Sequence, residues 1–503
     1  MKRYLALVGL LVVSLACSLS APTPVAWSGT PTAAARQATS TAFSLTRAAE
    51  LTAMPTLPGA KTPTPQAQTP TATPILTPDG PWLVFPTHDG ASLLAYDLDL
   101  ATITRLDLPA LLNLDDLSAG LSPDGKVLLL RAGSVENLNE LALYMVTDPN
   151  DPAQKITPLL SLYLQRQVIN QVGKRPARAM KAVSEDGGIA WSGNSQQYVF
   201  TAALDSDSSD LYLGDLGRSN LERLTARYTH DLHPTWSIMN NWMIFEESDI
   251  DREDGTWNLT AVSAFRIPRF DETRFLYLPP AASSQESFIG WANAVSLISY
   301  SCDLQSCSNL RQADLENVAV KIIYQGHFKE AVYGKDSDAL AMIVDAYSAS
   351  LDGKSAGVYL MASGSSAFSQ VLAGDFKNLQ WSSVGKMFLV SGRMGVMGIR
   401  PGTSSITLAK EDNAAFSPSG SWLVGWSSQE EHPGIRLYSA TGSLLQTISS
   451  EAVRHVTWRM DSKGFFMATD SGLYQVLFPD LKPHLITDDI YLGDDLQTVW
   501  LRP

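Results

Sequence analysis

Cysteine is scarce in this chain, with three in 503 residues. No two are spaced as C-x-x-C, which removes dithiol redox chemistry from consideration. Positive charge is short as well: 37 Lys and Arg stand against 51 Asp and Glu, a formal net charge of −14. No strand or hairpin pattern carries a basic stripe, which argues against a nucleic-acid partner, and the acidic balance reads as solubility. The apolar run Tyr4 to Ala16 is thirteen residues, too few to cross a bilayer as a helix. No stretch assembles a recognisable nucleophile, metal or acid–base constellation.

What is present begins with an address. Met1-Lys2-Arg3 followed by that apolar run has the layout of a secretory signal peptide over residues 1–16. Ser14-Leu15-Ala16-Cys17 resembles a bacterial lipobox, in which the cysteine is lipidated and becomes the mature N-terminus. Ser14 and Leu15 depart from the usual residues there, and the small Ser14 and Ala16 also suit ordinary signal peptidase. Residues 17–78 are dominated by Thr, Pro, Ala and Ser, densest in KTPTPQAQTPTATPILTP (61–78). Such a segment has too little large apolar surface to offset chain entropy, so the sequence predicts a disordered tether. About sixty residues of flexible coil reach roughly 40–45 Å root-mean-square.

From residue 79 the texture changes to short apolar strands between Gly, Asp, Asn and Ser turns. One phrase recurs: GLSPDGKVLLL (120–130), IAWSGNSQQYVF (189–200), DLHPTWSIMNNWMIF (231–245), IGWANAVSLISY (289–300), LQWSSVGKMFLV (379–390), AAFSPSGSWLVGW (414–426) and VTWRMDSKGFFMA (456–468). Each is a strand, a tight turn and a second strand, and turns spaced roughly 35–55 residues apart match one propeller blade each. The last stretch, LQTVWLRP (496–503), reads as an inner strand with nothing after it; the first, residues 78–108, reads as three outer strands with no inner strand before them. Together they complete one blade and remove the exposed edges of an open array. The expectation is an all-β chain: one propeller of eight or nine four-stranded antiparallel blades over 79–503, behaving as a monomeric ring. The doubtful unit is GKDSDALAMIVDA (334–346), which lacks the aromatic turn.

The phrase ERLTARYTHDLHPTWS (222–237), with Ser122-Pro123-Asp124-Gly125 and Ser417-Pro418-Ser419-Gly420, resembles the repeat of TolB-type propellers. The resemblance implies the fold and an extracytoplasmic setting. TolB proteins carry an α/β domain ahead of the propeller, where this chain has its tether, so the Tol–Pal function is not implied.

Several residues could carry chemistry. The turn tryptophans Trp191, Trp236, Trp291, Trp381, Trp458 and Trp500 recur once per blade, as inter-sheet packing requires. Gly353-Lys354-Ser355-Ala356-Gly357 matches G-x-S-x-G but leads into a strand, not the helix that a nucleophile elbow needs. Asp249, Asp251 and Asp254 form a loose calcium-like loop without the EF-hand glycine or twelfth-position acid; Asp205, Asp207 and Asp210 occupy the same place one blade earlier. Solvated loop acids are the simpler reading, and Ca²⁺ is the one cofactor the sequence leaves open. His230 and His233 flank Asp231 at the expected channel mouth, short of the three or four ligands zinc needs. With Cys17 assigned to lipid, Cys302 and Cys307 remain to pair as a disulfide, which suits an oxidising compartment. Residues 163–186 interrupt the repeat with Arg166, Lys174, Arg175, Arg178 and Lys181, a basic island that reads either as a partner contact, helical up to Gly173, or as a solvated loop.

These features fit a bacterial, membrane-anchored lipoprotein facing the periplasm or exterior and binding a protein, peptide or glycan without catalysis. A propeller hydrolase or lyase with scattered channel-mouth residues is the competing class, and an envelope sensor subunit the third.

Overall fold

A computed structural model describes residues 80–503 apart from 171–173, 238, 251–256, 268–274, 278–284, 304, 402–404, 430 and 494–495. The signal peptide, Cys17 and the tether lie outside the described residues. Residues Ile75–Pro503 form one compact unit.

That unit is a ring of nine antiparallel sheets. Blade 1 is Trp82–Pro86, Leu93–Asp97 and Ile103–Arg105, with Val499–Leu501 from the far end of the chain as its inner strand. The closure is a register of three pairs, Trp82 with Leu501, Leu83 with Trp500 and Val84 with Val499. Blades 3 to 9 begin at the inner strands Ile189–Trp191, His230–Trp236, Gln285–Trp291, Glu330–Gly334, Phe376–Ser382, Asn413–Phe416 and Val453–Trp458, and each has four strands. The unit at 334–346 is therefore a true blade, its second strand being Ala339–Val344.

The second strands are mostly buried and rich in apolar residues because each packs against a neighbouring sheet on both faces. Alternate side chains of one strand serve opposite neighbours. Leu83 and Phe85 pack with Phe466 and Ala468 of blade 9, while Trp82 and Val84 pack with Leu128 and Leu130 of blade 2. The same division recurs at every seam around the ring, from blades 2 and 3 to blades 8 and 9. Four of the turn tryptophans sit in these seams at 7–8% exposure. Several also tie a blade to the one before it. The indole N–H of Trp191 donates to Gly120 O at 2.6 Å, that of Trp458 to Ala415 O at 3.0 Å, and that of Trp500 to Trp458 O at 3.0 Å.

The serine that opens each of these turns fixes it. Ser122 Oγ accepts from the amides of Lys126 and Val127, and Ser237 Oγ from those of Asn241 and Trp242, at 2.9–3.1 Å. The fourth turn residue has positive φ, at Gly125 (77°), Ser195 (59°), Asn240 (57°) and Gly420 (72°); a glycine meets no Cβ penalty there. Neighbouring turns are linked as well: the Asp124 amide donates to Ser195 Oγ at 3.0 Å and the Ser419 amide to Ser462 Oγ at 2.9 Å.

Blade 2 departs from the repeat. Only Leu128–Ala132, Ala142–Val146 and Gln154–Pro158 form strands, and the expected inner strand near residue 121 is reduced to the bridges Leu111–Ala132 and Leu121–Leu128. Between the bridges the chain rises into a single helical turn, α1 (Asp116–Ala119). The cause is Arg131, a cation in the middle of the second strand and 0% exposed. Its guanidinium grips the Asp116 carboxylate with Nε to Oδ2 at 2.8 Å and Nη2 to Oδ1 at 3.0 Å, and donates from Nη1 to Val183 O at 3.1 Å. Burial pushes the Asp116 carboxyl up, and the guanidinium opposes it. A regular inner strand would have no room to present that carboxylate.

Removing one member of such a pair strands a buried charge, and removing both does not. Arg131→Met should therefore lower stability by about 3–5 kcal/mol. The double variant Arg131→Met/Asp116→Leu should recover most of that loss, read as urea midpoints at constant m.

Candidate functional site

In an antiparallel blade, the connections from second to third strand and from outer strand to the next inner strand fall at one end of the ring. The basic island and the segment before His230 are such connections, and Asp249 lies at the end of a second strand that runs into another. The topology therefore brings to one face three features that are separate in the sequence.

The island is a packed pair of helices, not a solvated loop. Helix α2 (Leu162–Ile169) is capped by Ser161, whose side chain accepts from the Leu164 amide at 3.2 Å. Helix α3 (Lys174–Lys181) begins beyond Gly173, where the sequence had suggested helicity would end, and Pro176 sits in its first turn, where a missing amide costs little. A π-helical turn, Ala182–Asp186, leads into blade 3 and supplies the Val183 carbonyl held by Arg131. Leu164, Ala179 and Val183 are fully buried in the seam between blades 2 and 3, and Ala182 is fully buried beside them. The root of the insertion is thus fixed to the core.

Of the five basic residues, two are engaged. Arg178 Nη1 lies 3.9 Å from Asp249 Oδ1 on blade 4, and Lys181 pairs with Glu185 at 3.6 Å. Arg166, Lys174 and Arg175 are exposed. Asp249 thus meets a cation of the insertion; Asp251 and Asp254 of the calcium-like loop lie outside the described residues. Asp210 is not a solvated loop acid. It is 0% exposed and accepts from Arg223 Nη2 at 2.6 Å and Ser206 Oγ at 2.7 Å. Asp205 Oδ2 accepts from the Tyr212 hydroxyl at 3.3 Å, and Asp207 is exposed.

The structure separates the two histidines. His230 is 3% exposed, and its Nδ1 accepts from the Ser209 amide at 3.1 Å, which places the ring proton on Nε2. Burial pushes its imidazole down to about 4, with Asp249 acting upward and Arg178 downward. His233 is exposed at a β-bulge with φ of 50°, its Nδ1 3.0 Å from Glu246 Oε2. Asp231, between them, is 0% exposed, and its carbonyl accepts from Thr201 Oγ1 at 3.3 Å. Beside them Arg227 pairs with the buried Glu247, which also accepts from Ser263. Among the described residues no three His, Cys, Asp or Glu side chains gather as a metal site. Cys302 and Cys307 are joined as a disulfide across the second and third strands of blade 5.

Two features escaped the sequence reading. Tyr228, in the connection before His230, is 96% exposed on this same face. A groove of about 800 Å³ opens between blades 2 and 3, lined by Lys155, Asp215 and Arg218 over Met145, Ile156 and Leu221. Tyr228 follows Arg227 in a polar run, and nothing in its sequence context marks it as exposed.

No protein-family model matches the chain, and no curated protein does. Solved structures match at low identity. A prolyl endopeptidase is 10% identical over 75% of this chain and 48% of its own, with TM-score 0.40; the chain spans about half the length of that enzyme. The Dos1 propeller is 11% identical over 64% of this chain and 94% of its own, with TM-score 0.41. A putative TolB from Agrobacterium tumefaciens is 14% identical over 49% of this chain and 82% of its own, with TM-score 0.28. The class is defined by the chain's own strand order: a nine-bladed β-propeller closed by its C-terminal strand.

The buried imidazole gives a pH test. The unfolded chain binds a proton near pH 6.5 that His230 in the ring accepts only near 4, so stability falls as pH is lowered through that window. His455 is pushed down to about 4 in the same way. The difference between wild type and His230→Gln isolates the first contribution: urea midpoints of the variant should decline less steeply from pH 6.5 to 4.

Proposed function

We propose that this chain is a non-catalytic recognition propeller, held outside the cytoplasm by a lipid on Cys17 and a flexible tether. The face that carries the insertion meets a protein, peptide or glycan partner. The observation that carries this reading is the Arg178–Asp249 contact, which sets the basic insertion beside the Tyr228–His233 segment on a rigid ring. Around it the buried acids and bases are engaged with one another: Asp116 with Arg131, Asp210 with Arg223, Glu247 with Arg227. Such groups hold a surface in shape. Tyr228 supplies a large, nearly free aromatic of the kind that anchors binding surfaces.

A photo-reactive residue at Tyr228, illuminated in the source cells, should give a discrete cross-linked product. The same residue at Val318, 57% exposed in a third-to-outer-strand turn at the opposite end, should not. No product from either site, or the same products from both, would contradict a partner on this face.

A further inference from the structure

The outer side of the α2–α3 pair is apolar and basic together. Leu162, Tyr163, Arg166 and Ile169 are spaced i, i+1, i+4 and i+7, which puts them on one helix face. They point away from the ring: Leu162 is 67% exposed, Tyr163 63% and Ile169 69%, whereas Leu164 and Gln165 on the opposite face are buried. Three large apolar side chains on the solvent side of an eight-residue helix are a standing cost unless something covers them.

The charge pattern says what would cover them. Residues 162–181 contain five Lys and Arg and no Asp or Glu, on a chain whose net charge is −14. Arg166, Lys174 and Arg175 are exposed and form no ion pair among the described residues. Apolar and basic side chains interleaved on one helical surface are the pattern of a helix lying in a bilayer interface, where the rings and aliphatics enter the acyl boundary and the cations meet lipid phosphates.

We infer that the exposed face of the α2–α3 pair docks on an anionic lipid bilayer. The inference stands on the helix pair itself, and only its cellular setting rests on the tethered reading proposed above. Given a lipid anchor and a coil reaching roughly 40–45 Å, the ring stays within reach of the membrane, and weak interfacial contact is enough to orient it. The anchor would hold the chain at the surface, and a basic, apolar patch would set which side of the ring faces it.

The test uses residues 75–503, which close into a ring without the anchor. The ring should float with vesicles of phosphatidylcholine containing roughly a third phosphatidylglycerol, and not with phosphatidylcholine alone. Arg166→Glu/Lys174→Glu/Arg175→Glu should weaken partitioning by about tenfold or more, and salt should do the same to wild type. Leu162→Ser/Tyr163→Ser/Ile169→Ser should also weaken it, with an unchanged urea midpoint showing that the ring is intact. Tyr163→Trp should show blue-shifted emission on anionic vesicles. Absence of wild-type flotation, or flotation indifferent to both sets of variants, overturns the inference. So does capture of the ring by an acidic polypeptide such as poly-glutamate when vesicles fail, since the occupant is then a protein. A partner cross-linked at Tyr228 is read separately, so either result can fail without the other.

Discussion

The inner strands of each sheet pack against a neighbouring sheet on both faces, and it is this burial that holds the blades together. An open row of nine such sheets would leave two apolar faces and one unpaired strand edge exposed at its ends. Closure removes all three, and it is made by the last strand of the chain lying beside the first. Seam by seam, alternate residues of one strand serve one neighbour and the intervening residues the other. The run Leu128–Ala132 is buried throughout, and its one charged member had to be matched from within, by a helix that displaced the inner strand.

That constraint also supplies the candidate site. With strands committed to the seams, only the connections are free to differ between blades. The long connection between blades 2 and 3 differs most. Its inward side is core, through Leu164, Ala179 and Val183, and its outward side is where Arg166, Lys174 and Arg175 stand. The insertion is tied to the ring at Val183 and at Arg178.

Much of the fold was legible in the sequence, because strand–turn–strand repetition is local and the terminal half-blade announces itself at both ends. The second strands expected in IAWSGNSQQYVF and LQWSSVGKMFLV appear as Gln197–Ala202 and Met387–Gly392. The blade count narrowed only in space, where Ala339–Val344 finds partners on both sides that its missing aromatic turn had concealed. The inner strand of blade 2 was not foreseen as broken, because the partner of Arg131 lies outside the repeat. The site was legible in pieces: basic island, histidines and acidic loop each stood out by residue type. Their juxtaposition, the burial of His230 and the exposure of Tyr228 depend on which connections share an end of the ring, and short motifs carry no record of that.

The face at the loop end exists only on a ring closed by its C-terminal strand. Amide hydrogen exchange at Val499–Leu501 tests this directly. Amides there bonded to Trp82–Val84 should exchange as slowly as those of the second strands, through global opening alone. Exchange at the rate of a free chain end would contradict it.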